Sequence, residues 1–261
     1  MDYFQTSDTT KIAFHYVKGD EPTVVFIHGA YIASSEWQPQ LNVLEDTSFL
    51  LVDLRGHGHS ERKGYPYSVA KFADDVRQLI AHLKLKDVVP CGHSLGGMVA
   101  QQLAVECPEL VAKLVLVDTS YGVRSTRIEA FLTDITLPMF NLAPVAWQAK
   151  LFADQIGKHS ADAKRYVQEE IGKHADAQHN YREVWKAVTQ FEGHVQLSAI
   201  SCPTLIMVGS LNKQTHRQAQ VMNERIPNSE LVYIDHAGHM LNWDNPEQFN
   251  QVLLEFIEEG V

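Results

Sequence analysis

Gly92-His93-Ser94-Leu95-Gly96 has the spacing of a turn built to present a serine hydroxyl. The apolar run Val88 to Cys91 precedes it and an amphipathic stretch follows, which predicts the strand-to-helix turn that a G-x-S-x-G nucleophile requires. Glycines two positions either side let the backbone close there without a Cβ clash. Gly96 and Gly97 are slim enough to press a helix against a sheet, Ala100, Leu103, Ala104 and Cys107 recur at helical spacing, and Pro108 stops the helix. A serine hydroxyl is a poor nucleophile at neutral pH and needs a base, normally a histidine oriented by a third group. Of the 13 histidines, His239 is the best placed. Ala237-Gly238-His239-Met240 follows the last strand pattern, so a loop at the carboxyl edge of a sheet can carry its ring to Ser94. His236 reads as a loop residue bonded locally.

Serine attack on a carbonyl creates an oxyanion, which needs preorganised N–H donors worth about 3–4 kcal/mol in the transition state. The amide of Leu95, directly after the nucleophile and at the positive end of its helix, is one. The turn His28-Gly29-Ala30, after the strand pattern Val24–Ile27, offers the amide of Ala30 as the other. Tyr31, Leu95, Met240 and Trp243 neighbour these positions and can either wall a pocket or pack the core.

The elements that must position these groups read as α/β. Short β-branched runs at Ile12–Val17, Thr23–Ile27, Phe49–Val52, Val88–Cys91, Leu114–Val117, Thr204–Val208 and Leu231–Ile234 alternate, after the first two, with helical patterns, which predicts a mostly parallel sheet covered by helices. Ser68 caps one helix, and Asn245-Pro246-Glu247-Gln248 opens another with cap, first-turn proline and capping-box glutamine. Pro90 lacks the donor that a central strand needs. Between Ser120 and Gln196 only helical patterns occur, such as Ile128, Phe131, Leu132, Ile135 and later Tyr181, Val184, Trp185, Val188. We therefore expect a core of residues 1–119 and 197–261 with a helical cap at 120–196. The aromatics of that segment, Phe131, Phe140, Trp147, Phe152, Tyr166 and Trp185, are expected mainly to pack it against the core.

At 261 residues and 45% apolar composition, the chain can bury the core of one large domain. A net charge of −10 without a Lys/Arg-rich run argues against nucleic acid and anionic membrane as partners and for a small molecule. Three widely spaced cysteines predict no disulfide framework. The start Met1-Asp2-Tyr3-Phe4-Gln5 has no signal-peptide pattern, and no run is long enough for a membrane span, so a cytoplasmic location is expected.

Taken in order, His28-Gly29-Ala30, Asp53-Leu54-Arg55-Gly56-His57-Gly58-His59-Ser60, the Ser94 elbow, the helical insertion and Gly238-His239 resemble the α/β-hydrolase superfamily over essentially the whole chain, in its branch of capped esterases, lactonases, cofactor-free haloperoxidases and carbon–carbon bond hydrolases. The resemblance implies the α/β-hydrolase fold and a structural role for the Asp53-to-Ser60 loop, so His57 and His59 are read as turn residues. No metal and no cofactor are expected. One departure matters. The family usually carries its triad acid as Gly-x-x-Asp after the strand Leu205–Val208, but here Gly209-Ser210-Leu211 is followed by Asn212. Three readings are open: the acid has moved to Asp118 after Leu114–Val117, as in some superfamily members; Asn212 completes a Ser-His-Asn trio; or the chain is an altered or pseudo-enzyme. Asp235 and Asp244 are lesser candidates. The resemblance implies a serine hydrolase of carboxylesterase or lactonase type, acting through an acyl-enzyme on a small to medium, mostly apolar ester or lactone. Carbon–carbon bond hydrolysis, perhydrolysis and a ligand-binding receptor are the alternatives.

Overall fold

The computed structural model describes residues 1–44, 46–123, 144–173 and 177–258. The helical pattern at Ile128, Phe131, Leu132 and Ile135, and Phe140, lie outside the described residues. Eight strands form one sheet in the order β1-β2-β4-β3-β5-β6-β7-β8: β1 (Asp2–Gln5), β2 (Lys11–Val17), β3 (Asp20–Ile27), β4 (Thr47–Val52), β5 (Val89–His93), β6 (Leu114–Val117), β7 (Thr204–Gly209) and β8 (Ser229–Ile234). β1/β2 and β2/β4 pair antiparallel, and the other neighbours are parallel. The described helices are α1 (Gln38–Leu41), α2 (Val69–Leu83), α3 (Leu95–Glu106), α4 (Val145–Ile156), α5 (Ala161–Gly172), α6 (Gln178–Gln190), α7 (Lys213–Arg225), α8 (Leu241–Asp244) and α9 (Pro246–Glu258). None is long and apolar enough to cross a membrane.

Period-2 side-chain alternation puts successive strand residues on opposite faces, and here both faces are covered. Val25, Ile27, Leu116 and Ile206 face one core with Phe72 of α2, Leu103 of α3 and Met222 of α7. Val24, Phe26, Val115 and Leu205 face the other, with Trp37 and with Phe249 and Leu253 of α9. α2 buries Val69, Phe72, Val76, Leu79 and Ile80, each contributing about 1.5–3 kcal/mol. The Ser68 hydroxyl caps this helix by accepting from Lys71 N at 3.1 Å. Before α9, Asn245 Oδ1 accepts from Gln248 N at 3.3 Å, but Gln248 Oε1 turns to Asp235 N at 2.7 Å, so the reciprocal half of the capping box is replaced by a loop contact. β1, at the exposed edge of the sheet, has no counterpart among the expected strands. Pro90 is accommodated by a register slip: Val88 bridges Val111 while Cys91 pairs with Val115, so three steps along β5 meet four towards β6.

Among the described residues, α5 and α6, between β6 and β7, dock on the core at defined points. Tyr166 of α5 donates from its hydroxyl to Ala33 O at 3.0 Å. Asn180 of α6 donates from Nδ2 to Gly56 O at 2.8 Å and accepts from the Tyr67 and Tyr65 hydroxyls at 3.0 and 3.2 Å. The Gly56 side of that dock belongs to the Asp53-to-Ser60 loop, whose shape is set by Asp53: its carboxylate accepts from Ser34 N and His59 N, both at 2.8 Å. Arg55 is buried and forks onto Asp75 with two contacts of 2.5 Å. Removing all three Asn180 contacts leaves buried carbonyl and hydroxyl groups unmatched. Asn180→Ala is therefore expected to lower stability by about 1–3 kcal/mol, read as a lower urea midpoint at unchanged m-value.

Candidate active site

Ser94 joins β5 to α3 with φ 51° and ψ −114°, a conformation that L-residues rarely adopt. Three contacts fix it: Ser94 N donates to Val117 O at 3.0 Å, while Ser94 O accepts from Gly97 N at 3.0 Å and from the Thr119 hydroxyl at 2.6 Å. The flanking glycines have a steric cause. A Cβ on Gly92 would collide with Gly96 O, and one on Gly96 with Ile27 O. Leu95 is the first residue of α3, so its N–H is among those a helix leaves unpaired by its own ladder. Facing it, the His28-Gly29-Ala30 turn is pinned at both ends of Gly29. Gly29 O accepts from His28 Nδ1 at 2.7 Å, Gly29 N donates to Glu36 Oε2 at 3.0 Å, and His28 Nε2 accepts from Leu54 N at 3.0 Å. Gly29, Ala30, His93, Ser94 and His239 together wall a small cavity of about 30 Å³.

His239 follows β8 on a loop held by Gly238 N donating to Asp244 Oδ2 at 2.8 Å and by His239 O accepting from His93 Nε2 at 2.9 Å. Burial pushes the Asp244 carboxyl above its usual range, and the Gly238 contact pulls against that. His236 is exposed and away from this cavity, its N–H donating to Ser210 Oγ at 3.0 Å. His239 Nδ1 has two near neighbours, Asp118 Oδ2 at 3.3 Å and Asn212 Nδ2 at 3.4 Å. The amide nitrogen lies closer to the carboxylate, donating to Asp118 Oδ2 at 2.8 Å. An NH2 group cannot accept, so Asp118 Oδ2 is the acceptor open to an Nδ1–H, and that tautomer leaves Nε2 unprotonated. The Thr215 hydroxyl donates to the other carboxylate oxygen. The Asp118 side chain is fully buried, so its charge acts on His239 with little screening.

Ser94, Asp118, Asn212 and His239 also line a larger cavity of about 500 Å³. Met98, Phe152, Trp185 and Val188 give its lining apolar surface, and Asp154, Lys158 and His159 add polar groups to it. Asp154 is paired with Lys164 at 2.8 Å. Tyr31, Met240 and Trp243 do not wall either cavity, which corrects one of the two roles open to them from sequence. Tyr31 stacks on Tyr181 at 3.8 Å, Met240 is buried in the core, and Trp243 stacks on Tyr166 at 4.9 Å while donating to Glu36 O at 2.7 Å. Leu95 likewise offers its amide and not its side chain, which is buried. Reasoning from sequence missed Thr119, Thr215, Glu36 and His93. His93 lay inside the Ser94 motif, but nothing local signals its distant partners. Among the described residues no group of three His, Cys, Asp or Glu side chains can hold a metal ion. His57 Nδ1 donates to Arg55 O at 3.0 Å, and His59 Nδ1 lies 3.3 Å from Asp53 Oδ2, both within their own turn.

Residues 24–252 match the model of the alpha/beta hydrolase family. The chain belongs to that family. It is 25% identical to 3-oxoadipate enol-lactonase 2 of Acinetobacter baylyi, with 97% of each chain covered. It is 29% identical to a non-heme haloperoxidase of Rhodococcus erythropolis over 99% of this chain and 100% of that one. An esterase from Exiguobacterium antarcticum superposes with a TM-score of 0.88 at 23% identity, over 98% of this chain and 99% of the other, which is a likeness of fold. Against the family pattern, the acid position after β7 holds an amide, and the carboxylate it contacts stands after the adjacent parallel strand β6.

That geometry makes a substitution informative. Asn212→Asp would set a second carboxylate against Asp118 Oδ2, and two such groups do not both ionise cheaply. The carboxyl raised in the folded state costs stability above its unfolded pKa and is relieved on acidification. Asn212→Asp is thus expected to be less stable than the parent at pH 7 by about 1–2 kcal/mol, with the gap closing towards pH 4, as measured by urea midpoints across that range.

Proposed function

We propose that the protein is a serine hydrolase that cleaves a small to medium carboxylic ester or lactone through an acyl-enzyme. The observation that carries this reading is the convergence of Ser94 and His239 on one cavity with the Asp118 carboxylate behind the His239 ring. Ser94 Oγ attacks the carbonyl carbon as His239 Nε2 takes its proton. The Ala30 and Leu95 amides hold the oxyanion, and the imidazolium returns the proton to the leaving alkoxide. Water, deprotonated by the same ring, then attacks the acyl carbon and frees Ser94. Asp118 keeps Nδ1 protonated and stabilises the imidazolium, and Asn212 and Thr215 hold Asp118 in place. The Ser-His-Asn trio is less well supported because the amide nitrogen, and not a carbonyl oxygen, faces His239.

The cavity supports a refinement of the substrate class. The apolar part of the substrate lies along Met98, Phe152, Trp185 and Val188, and a polar or anionic group reaches Lys158 and His159. The described helices α4, α5 and α6 act as a cap that excludes bulk water over the core. A cytoplasmic location is part of this proposal; Cys91 and Cys107 are buried and Cys202 half-buried, and burial raises the pKa of each thiol. Esterase and enol-lactonase relatives support ester or lactone chemistry.

With a p-nitrophenyl ester, a burst equal to the enzyme concentration is expected, and Ser94→Ala should abolish both burst and turnover. Turnover that survives in folded Ser94→Ala would overturn the reading. Asp118→Asn should lower kcat by about 10³–10⁴-fold with the fold intact, whereas Asn212→Asp should not raise it. The opposite pattern would return the acid to position 212. Lys158→Ala should raise KM about tenfold for an ester carrying a carboxylate, a loss of about 1.4 kcal/mol, and leave its neutral analogue unchanged.

A further inference from the structure

Beneath the small cavity, Glu36 and His93 form a pair that the mechanism above does not use. Their side chains are 0% and 1% exposed. His93 Nδ1 is in close contact with Glu36 Oε1, and its Nε2 lies 2.9 Å from His239 O. A carbonyl oxygen only accepts, so Nε2 carries a hydrogen, and the carboxylate at Nδ1 calls for a second. Burial, the largest single influence, would strip a proton from this ring, but the Glu36 charge and contact, the Asp118 charge and the His239 carbonyl together hold it above the ordinary histidine range.

The pair reaches both loops that the reaction needs. Glu36 Oε2 accepts from Gly29 N at 3.0 Å, fixing the peptide that precedes Ala30. The main-chain oxygen of Glu36 accepts from Trp243 Nε1 at 2.7 Å and Asn242 Nδ2 at 3.2 Å, both just beyond His239. His93 is the residue before Ser94 and holds the His239 carbonyl. We propose that Glu36 and His93 are positioning residues: a buried imidazolium–carboxylate clamp that sets the oxyanion turn and the His239 loop against Ser94 as one unit. This rests on the assignment of Ser94, His239 and Ala30 above.

A buried ion pair kept only for the fold can often be replaced without harm by groups of similar shape. A clamp cannot, because misplacing catalytic groups by about 1 Å costs about 10²-fold in rate. Glu36→Gln keeps the shape of the side chain and an acceptor for Gly29 N but removes the charge. It should lower kcat about 10²-fold, counted per Ser94 labelled by a fluorophosphonate, with KM within about threefold. His93→Asn should do the same, and the double variant should be no worse than either single, because the two act as one unit. An unchanged kcat per labelled site in folded Glu36→Gln, or fully multiplicative losses, would overturn the clamp while leaving the Ser94 mechanism standing. Should the variants not fold, ¹⁵N NMR of the parent protein still decides. Both His93 nitrogens are expected to carry protons at neutral pH, in Ser94→Ala as well, and a bare nitrogen on that ring would refute the proposal. Turnover retained by Ser94→Ala would instead remove the mechanism on which the clamp acts.

Discussion

The left-handed backbone of Ser94 is the constraint from which the rest of the site follows. A non-glycine residue at φ 51° costs on the order of 1–3 kcal/mol and persists only where its surroundings over-determine it. Here they do, through Val117 O, Gly97 N and the Thr119 hydroxyl, and through two glycines that let β5, α3 and the end of β3 meet at contact distance. The same close approach brings the start of α3 beside the His28-Gly29-Ala30 turn. The two segments that carry the amides proposed for the oxyanion thus meet because the helix sits tight on the sheet.

Where the third group of the proposed triad stands is a matter of sheet geometry. β6 and β7 are adjacent and parallel, so their carboxyl ends open on the same edge, and a ring arriving on the loop after β8 can be met from either. Asp118 and Asn212 both lie within hydrogen-bonding reach or just beyond it of His239 Nδ1, at 3.3 and 3.4 Å. Charge separates them. A carboxylate stabilises a neighbouring imidazolium, and an amide whose NH2 donates to that carboxylate serves as its support. In the proposed mechanism Asn212 keeps its place after β7 and holds the Asp118 carboxylate instead of supplying the acid.

Much of this was readable in the sequence because it is local. The elbow, the strands from Ile12 onward, the Ser68 cap and the loop carrying His239 are each announced by spacing within about ten residues. What failed is equally physical. Asp2–Gln5 pairs along an exposed edge and shows no buried alternation. Tyr31, Met240 and Trp243 are neighbours of reacting residues in sequence, yet tight turns aim their side chains into packing and away from the cavity. Asp118 and Asn212 could not be ranked because their contact spans 94 positions of chain, and the link between Glu36 and His93 joins two segments with no shared pattern.

The most direct test of the whole account is a crystal structure of the protein inactivated by a small alkyl fluorophosphonate. Phosphorus is expected on Ser94 Oγ, with the phosphoryl oxygen in the small cavity about 2.7–3.1 Å from the amide nitrogens of Ala30 and Leu95. An adduct on any other residue, or an oxygen turned away from both amides, would contradict it.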